Sequence, residues 1–169
     1  SEYGVRVWLE GSLNMWGNAQ LTSPTTISGN TKGPIRVDEG GSAYLSNLTL
    51  ASQSKGIIIQ NGNFVKLDNV TITGSGAHGI NVWGTNIGLE DSTISGSTNA
   101  EIFAKFSTIN LEKTAITGTA GSDEIKLNYS SMLFIGTGTT ITGTVTCDGS
   151  VDNNSIDNWT NLTLTTSGC

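Results

Sequence analysis

Apolar residues return along this chain at two spacings. Within short runs they alternate with polar ones, as in Val5-Arg6-Val7-Trp8-Leu9 or Ile80-Asn81-Val82, the period of a strand with one buried face. Over longer distances whole phrases recur. Leu45-Ser46-Asn47-Leu48-Thr49-Leu50 is followed by Leu67-Asp68-Asn69-Val70-Thr71-Ile72, Leu89-Glu90-Asp91-Ser92-Thr93-Ile94 and Leu111-Glu112-Lys113-Thr114-Ala115-Ile116, each 22 residues after the last. A second series, Ile35, Ile57, Ile80, Ile102 and Ile125, keeps a spacing of 22 or 23 residues. Two registered columns at one period predict a solenoid, because each repeat can bury its apolar edge only by stacking on its neighbours.

Within one repeat three strand-like runs stand out: Ile80-Asn81-Val82, Asn86-Ile87-Gly88-Leu89 and Thr93-Ile94-Ser95. Alternation sends Ile80, Val82, Ile87, Leu89 and Ile94 inward, and Gly74-Ser75-Gly76, Gly84-Thr85 and Gly96-Ser97 supply the bends. Three short strands per coil of about 22 residues predict an all-β parallel β-helix of triangular section, with strands of successive coils about 4.8 Å apart. About six to seven coils are expected, in a rod on the order of 30 Å long. Regular coils read as 34–56, 57–79, 80–101, 102–124 and 125–146. Ile141 follows Ile116 by 25 residues, so one turn is longer. Residues 1–33 read as a degenerate coil and an N-terminal cap with Trp8 and Trp16, and 147–169 as a C-terminal cap with Trp159 and a final strand at 161–165, all in one domain.

Composition agrees with this picture. Only 13% of residues are charged and 22 are Gly, a makeup of short strands and tight turns with almost no helix. A net charge of −6 with eight Lys and Arg argues against a nucleic-acid partner, and no apolar run reaches membrane-span length. No leader is legible, and the first residues read as those of a processed or excised chain. Cys147 and Cys169 suggest a disulfide closing a C-terminal loop, in an oxidising compartment, against the alternative of two free buried thiols. No Cys/His cluster suggests zinc.

Gly79-Ile80-Asn81-Val82 followed by Leu89-Glu90-Asp91-Ser92-Thr93-Ile94-Ser95-Gly96 resembles the right-handed parallel β-helix repeat of pectate lyases, polygalacturonases and phage tailspikes. The resemblance covers residues 34–146. It implies a right-handed, extracellular solenoid (secreted or on a virion surface) whose relatives often act on long acidic or O-antigen-like glycans.

Function in a solenoid is read down columns. Asn47, Asn69, Asp91 and Lys113 form one, where Asn suits a left-handed bend and an amide ladder; the sequons at Asn47 and Asn69 then belong to turns. Beside it stand Ser46, Asp68, Glu90 and Glu112. Carboxylates about 5 Å apart repel, which a solvated edge, a Ca²⁺ ion on Asp68, Glu90 and Asp91, or glycosidase-like chemistry on Asp68, Glu90 and Glu112 would each explain. Calcium is the one cofactor these residues suggest.

The outward positions of the first strand carry Arg36, Ile58, Asn81, Phe103 and Lys126, beside Asp38, Gln60, Trp83, Lys105 and Asn128. An outward Trp and Phe among amides and charges suit sugar rings, a protein interface or cover by an N-terminal loop; in a trimer this face would be the seam. Thr49, Thr71, Thr93 and Thr140, with Ala115 interrupting, run beside Ala51, Thr73, Ser95, Thr117 and Thr142, ranks that resemble the ice-binding face of insect antifreeze solenoids. His78, the single histidine, reads as a turn residue.

The expected role is extracellular recognition: a receptor- or glycan-binding module of a tail fibre, tailspike or cell-surface protein. Contact would fall on Arg36, Asp38, Gln60, Asn81, Trp83, Phe103 and Lys105. A small polysaccharide lyase or glycoside hydrolase using Asp68, Glu90 and Glu112 is the alternative, and an ice-binding solenoid the second.

Overall fold

A computed structural model describes residues 3–7, 11–16, 25–28, 33–51, 55–119, 122–148, 155–158 and 165–169, and no helix occurs among them. The first strands are β1 (Tyr3–Val7), β2 (Ser12–Trp16) and β3 (Thr25–Ser28). Two coils of two strands follow: β4 (Gly33–Asp38) with β5 (Ser42–Ala51), and β6 (Ile57–Gln60) with β7 (Phe64–Thr73). Three coils of three strands come next. They are β8 (His78–Trp83), β9 (Asn86–Glu90) and β10 (Thr93–Ser95), then β11 (Ala100–Lys105), β12 (Thr108–Glu112) and β13 (Ala115–Thr117). The last is β14 (Asp123–Asn128), β15 (Met132–Ile135) and β16 (Thr140–Thr142). Beyond it lie β17 (Thr144–Cys147), β18 (Ser155–Asn158) and β19 (Thr165–Ser167).

Every strand pairs in parallel with its counterpart one coil along. From Gly33 to Thr142 the chain makes about five turns, slightly fewer than the six to seven expected, while strands on either side extend the sheets. Three flat faces result. Face one carries β4, β6, β8, β11, β14 and β17; face two the first half of β5 and β7 with β9, β12 and β15; face three their second half with β10, β13 and β16.

The inward columns hold as the periodicity predicts. Ile57, Ile80, Ile102, Ile125 and Val145 stack in register on face one, Leu45, Leu67, Leu89, Leu111 and Ile135 on face two, and Leu50, Ile72, Ile94, Ile116 and Ile141 on face three. All are buried, each contributing about 1.5–3 kcal/mol by leaving water. The described core is wholly aliphatic apart from Cys147. Each of the aromatic side chains whose exposure is described, Tyr44, Phe64, Trp83, Phe103, Phe106, Tyr129 and Phe134, lies at the surface or half-buried.

The corners explain why the strand count changes along the rod. Asn47, Asn69, Asp91 and Lys113 all adopt left-handed backbone, φ 45–54°, and the Asn69 amide donates to the Asn47 side-chain oxygen at 2.6 Å, one rung of the expected ladder. Inside that corner Leu48 and Val70 continue the apolar column, and β5 and β7 run through as ten-residue strands. In later coils Ser92 and Thr114 replace them, each hydroxyl donating at 2.8 Å to the carbonyl two residues before. That local bond competes with the ladder and splits the strand. The corner between faces one and two is held by a hydroxyl file: Gly62 N–H donates to Thr85 Oγ1, Thr85 N–H to Ser107 Oγ and Ser107 N–H to Ser131 Oγ, at 2.8–3.3 Å.

Two carboxylates that the periodicity does not reveal are buried at the third corner. Glu101 accepts from Ser97 N–H at 2.8 Å and Ser97 Oγ at 2.5 Å. Glu124 accepts from Thr144 N–H and packs on Gly143, where an added Cβ would come within 1.9 Å of it. At the far end β19 pairs with β17, and the Cys147–Cys169 disulfide, with Cα atoms 4.7 Å apart, ties this last rung down. The side chains of Trp8, Trp16 and Trp159 and the strand expected at 161–164 lie outside the described residues.

Candidate functional site

Face two carries an open depression that crosses several strands. Its outward positions run Phe64, Lys66, Asp68 on β7; Asn86, Gly88, Glu90 on β9; Thr108, Asn110, Glu112 on β12; and Met132, Phe134 on β15, each in register with the next. Gly88 stands between Lys66 and Asn110, and an added Cβ there would meet only the Phe64 Cζ, at 3.9 Å. The missing side chain opens a depression of about 360 Å³ across the sheet, lined by Phe64, Lys66, Glu90, Asn110, Glu112 and Phe134. Two aromatic rings, an amide, two carboxylates and an ammonium thus share one groove.

Of the carboxylates expected to carry chemistry, Glu90 and Glu112 line the groove and Asp68 stands beside it. The mutual repulsion of the file is relieved locally. Lys66 Nζ donates to Glu90 Oε2 at 2.8 Å, with both side chains about one-third exposed (35% and 32%). That hydrogen bond, and then the charge of Lys66, hold the Glu90 carboxyl below its usual value; the same bond, with the charge of Glu90, holds Lys66 above its own. Asp68 accepts from Tyr44 Oη at 3.0 Å and Ser46 Oγ at 3.3 Å, a contact that raises the Tyr44 phenol. Glu112 is exposed and makes no side-chain bond to other described residues. A general acid needs a raised pKa, and Glu90 is moved the other way. Among the described residues no group of three or more acidic, His or Cys side chains is placed to hold a metal ion.

The residues expected on face one are in the expected columns but in different environments. Asp38 is buried, bound by Arg36 Nε at 2.8 Å and Arg6 Nε at 3.0 Å, and Arg36 Nη2 donates to Gln60 at 2.5 Å. Phe103 does not pair with Trp83 as a second open ring: it is half-buried and stacks on His78, centroids 4.9 Å apart. His78 is therefore not a turn residue; it opens β8, and its burial lowers its pKa. Trp83 is 41% exposed, but Lys105 Nζ sits 4.7 Å from its ring centre. The same ammonium lies 4.2 Å from the Tyr129 ring and 5.7 Å from that of Phe106. Phe106 and Tyr129 occupy left-handed backbone, φ 51° and 52°, at the corner where earlier coils use Asn61 and Gly84. Lys105 thus stands between Trp83 and the two corner aromatics.

A family model described as the right-handed beta helix region matches residues 14–168. The chain belongs to this right-handed β-helix family. No curated protein and no solved structure matches it. For a right-handed β-helix the family fixes the scaffold, and function has to be read from outward side chains of this chain itself.

Read so, this β-helix carries groove residues that no repeat motif marks: Phe64, Lys66, Gly88, Asn110 and Phe134. The signal was available. In a chain whose core takes no described aromatic, Phe64 and Phe134 stand at outward strand positions, and Gly88 interrupts a column that could hold a β-branched residue. The threonine ranks of face three do lie in register, with Ala115 between Thr93 and Thr140 and Ala51 opening the second rank.

Proposed function

We propose that this β-helix recognises a glycan through the groove of face two, outside the cell or on a virion surface. The observation that carries the reading is the Gly88 depression walled by Phe64 and Phe134 and edged by Lys66, Glu90, Asn110 and Glu112. Sugar rings stack their apolar faces on aromatic rings, while their hydroxyls bond to carboxylates and amides. Phe64 is 48% exposed, so its ring face is open to a ligand in the groove. The Cys147–Cys169 disulfide supports an oxidising compartment. Such a module suits a tail fibre, tailspike or cell-surface protein, and polysaccharide or a surface glycan is its partner.

The test is a glycan array and affinity electrophoresis with wild type, Phe64→Ala and Phe134→Ala. Binding should fall at least tenfold in either variant while the melting temperature moves by only a few degrees, both side chains being at the surface. Retention equal to wild type in both variants would remove the groove from the reading. Release of reducing ends or unsaturated products, abolished by Glu90→Gln, would replace recognition by cleavage.

A further inference from the structure

The charges around the groove also bear on which sugars it takes, an inference that rests on the glycan reading above. Glu90 and Glu112 lie on successive rungs inside it, with Asp68 one rung before. Asp157 of β18 stands one rung beyond Phe134 in the same column. The cation in the lining, Lys66, is committed to Glu90 at 2.8 Å, and no arginine lines the groove. Lys113, which follows Glu112, also brings its charge to bear on Glu90, but Asp68, Glu90, Glu112 and Asp157 still outnumber Lys66 and Lys113. The other cations nearby lie on face one, Arg36 and Lys55 at one hollow and Lys126 at another. The whole chain carries −6.

We infer that the groove selects uncharged glycans and turns acidic ones away. An ionised carboxylate is an acceptor for sugar hydroxyls, so Glu90 and Glu112 can each bind a neutral ring directly. A uronate or sulfated sugar in the same position would bring its own anion within about one strand spacing of Glu112, roughly 5 Å, where the cation of the lining, Lys66, is already paired with Glu90. Between the dielectric of water and that of a protein surface, repulsion at about 5 Å is worth roughly fourfold to a few hundredfold in affinity per acidic group, and tenfold lies toward the solvent-screened end of that span. The aromatic walls favour both classes equally, so they set affinity, while the carboxylates set the choice.

The experiment uses the full chain against soluble β-glucan, mannan and galactan, each beside the same polymer carboxylated at C6, by affinity electrophoresis at low and high salt. The expected result is retention by at least one neutral polymer, at least tenfold weaker retention by its carboxylated form, and a gap that narrows several-fold in high salt or in Glu112→Gln. Equal or tighter binding of the carboxylated form, lost in Phe64→Ala, would overturn the selectivity and leave glycan recognition standing. Absence of binding to every polymer of the panel, neutral and acidic, would count against recognition itself and this inference with it.

Discussion

Replacing Gly88 by Ile should raise stability and destroy binding, two effects of opposite sign from one substitution. Gly88 lies mid-strand in β9 with ordinary backbone, absent from the residues with positive φ, so no conformational need for glycine exists there. Glycine costs a strand roughly 0.5–1 kcal/mol against alanine, and the β-propensity scale spans about 1 kcal/mol in favour of β-branched residues. The added Cβ meets nothing nearer than Phe64 Cζ at 3.9 Å, and the groove beside Gly88 gives the rest of the side chain open space. A net stabilisation of about 1 kcal/mol is expected, or a rise of roughly 2–4 °C in melting temperature for a domain of this size. The same side chain fills the groove floor between Lys66 and Asn110, and sugar affinity should drop at least tenfold, about 1.4 kcal/mol. Thermal melts followed by circular dichroism and affinity electrophoresis read the two effects separately. Gly56→Ile is the control: its Cβ would lie 1.7 Å from the Gly79 carbonyl oxygen, so the same change there should unfold the coil. A fall in melting temperature for Gly88→Ile, or unchanged binding, would refute the claim that this glycine is kept for the groove.

Other expectations concern titration and the staple. His78 is lowered from its ordinary 6.5 chiefly by burial, then by the charge of Lys126; the unfolded chain therefore takes up a proton first, and stability should rise with pH through the ordinary histidine range. Melts across that range should lose this step in His78→Phe, a change that leaves a ring against Phe103. A step that persists in the variant would assign it to other groups. Cys147→Ser with Cys169→Ser should cost about 3 kcal/mol in the chain-entropy picture for a separation of 22 residues, measured by urea unfolding; reductant should then have no further effect.

Much of the fold was legible because a solenoid repeats its instructions. One coil read correctly, Ile80, Val82, Ile87, Leu89 and Ile94 inward, gives the others by translation, and the left-handed bend at Asn47, Asn69, Asp91 and Lys113 follows from how Asn behaves. What did not repeat was harder to read. Glu101 and Glu124 replace Gly79 in one corner column, and only coordinates show that Ser97 and Thr144 satisfy them. Trp83 and Phe103 point to face one because a sequence shows which positions face outward but not how exposed they are. Stacking on His78 and the Lys105 ammonium are contacts between coils, and a linear text gives their column but not their side-chain directions. Glu90 and Glu112 were identified, yet the aromatics that make a groove around them lie two and more residues away on other rungs.

The groove draws on four adjacent rungs, β7, β9, β12 and β15, each giving a few side chains and none a site of its own. Inheritance therefore acts differently on scaffold and site. Removal of one 22-residue coil by unequal recombination would rejoin the rod in register and shorten it by about 4.8 Å, a change the core would scarcely notice. The same event anywhere between Phe64 and Phe134 would delete or misalign a wall. A lineage could add or drop coils freely outside that window, while the order of coils inside it is a single heritable unit.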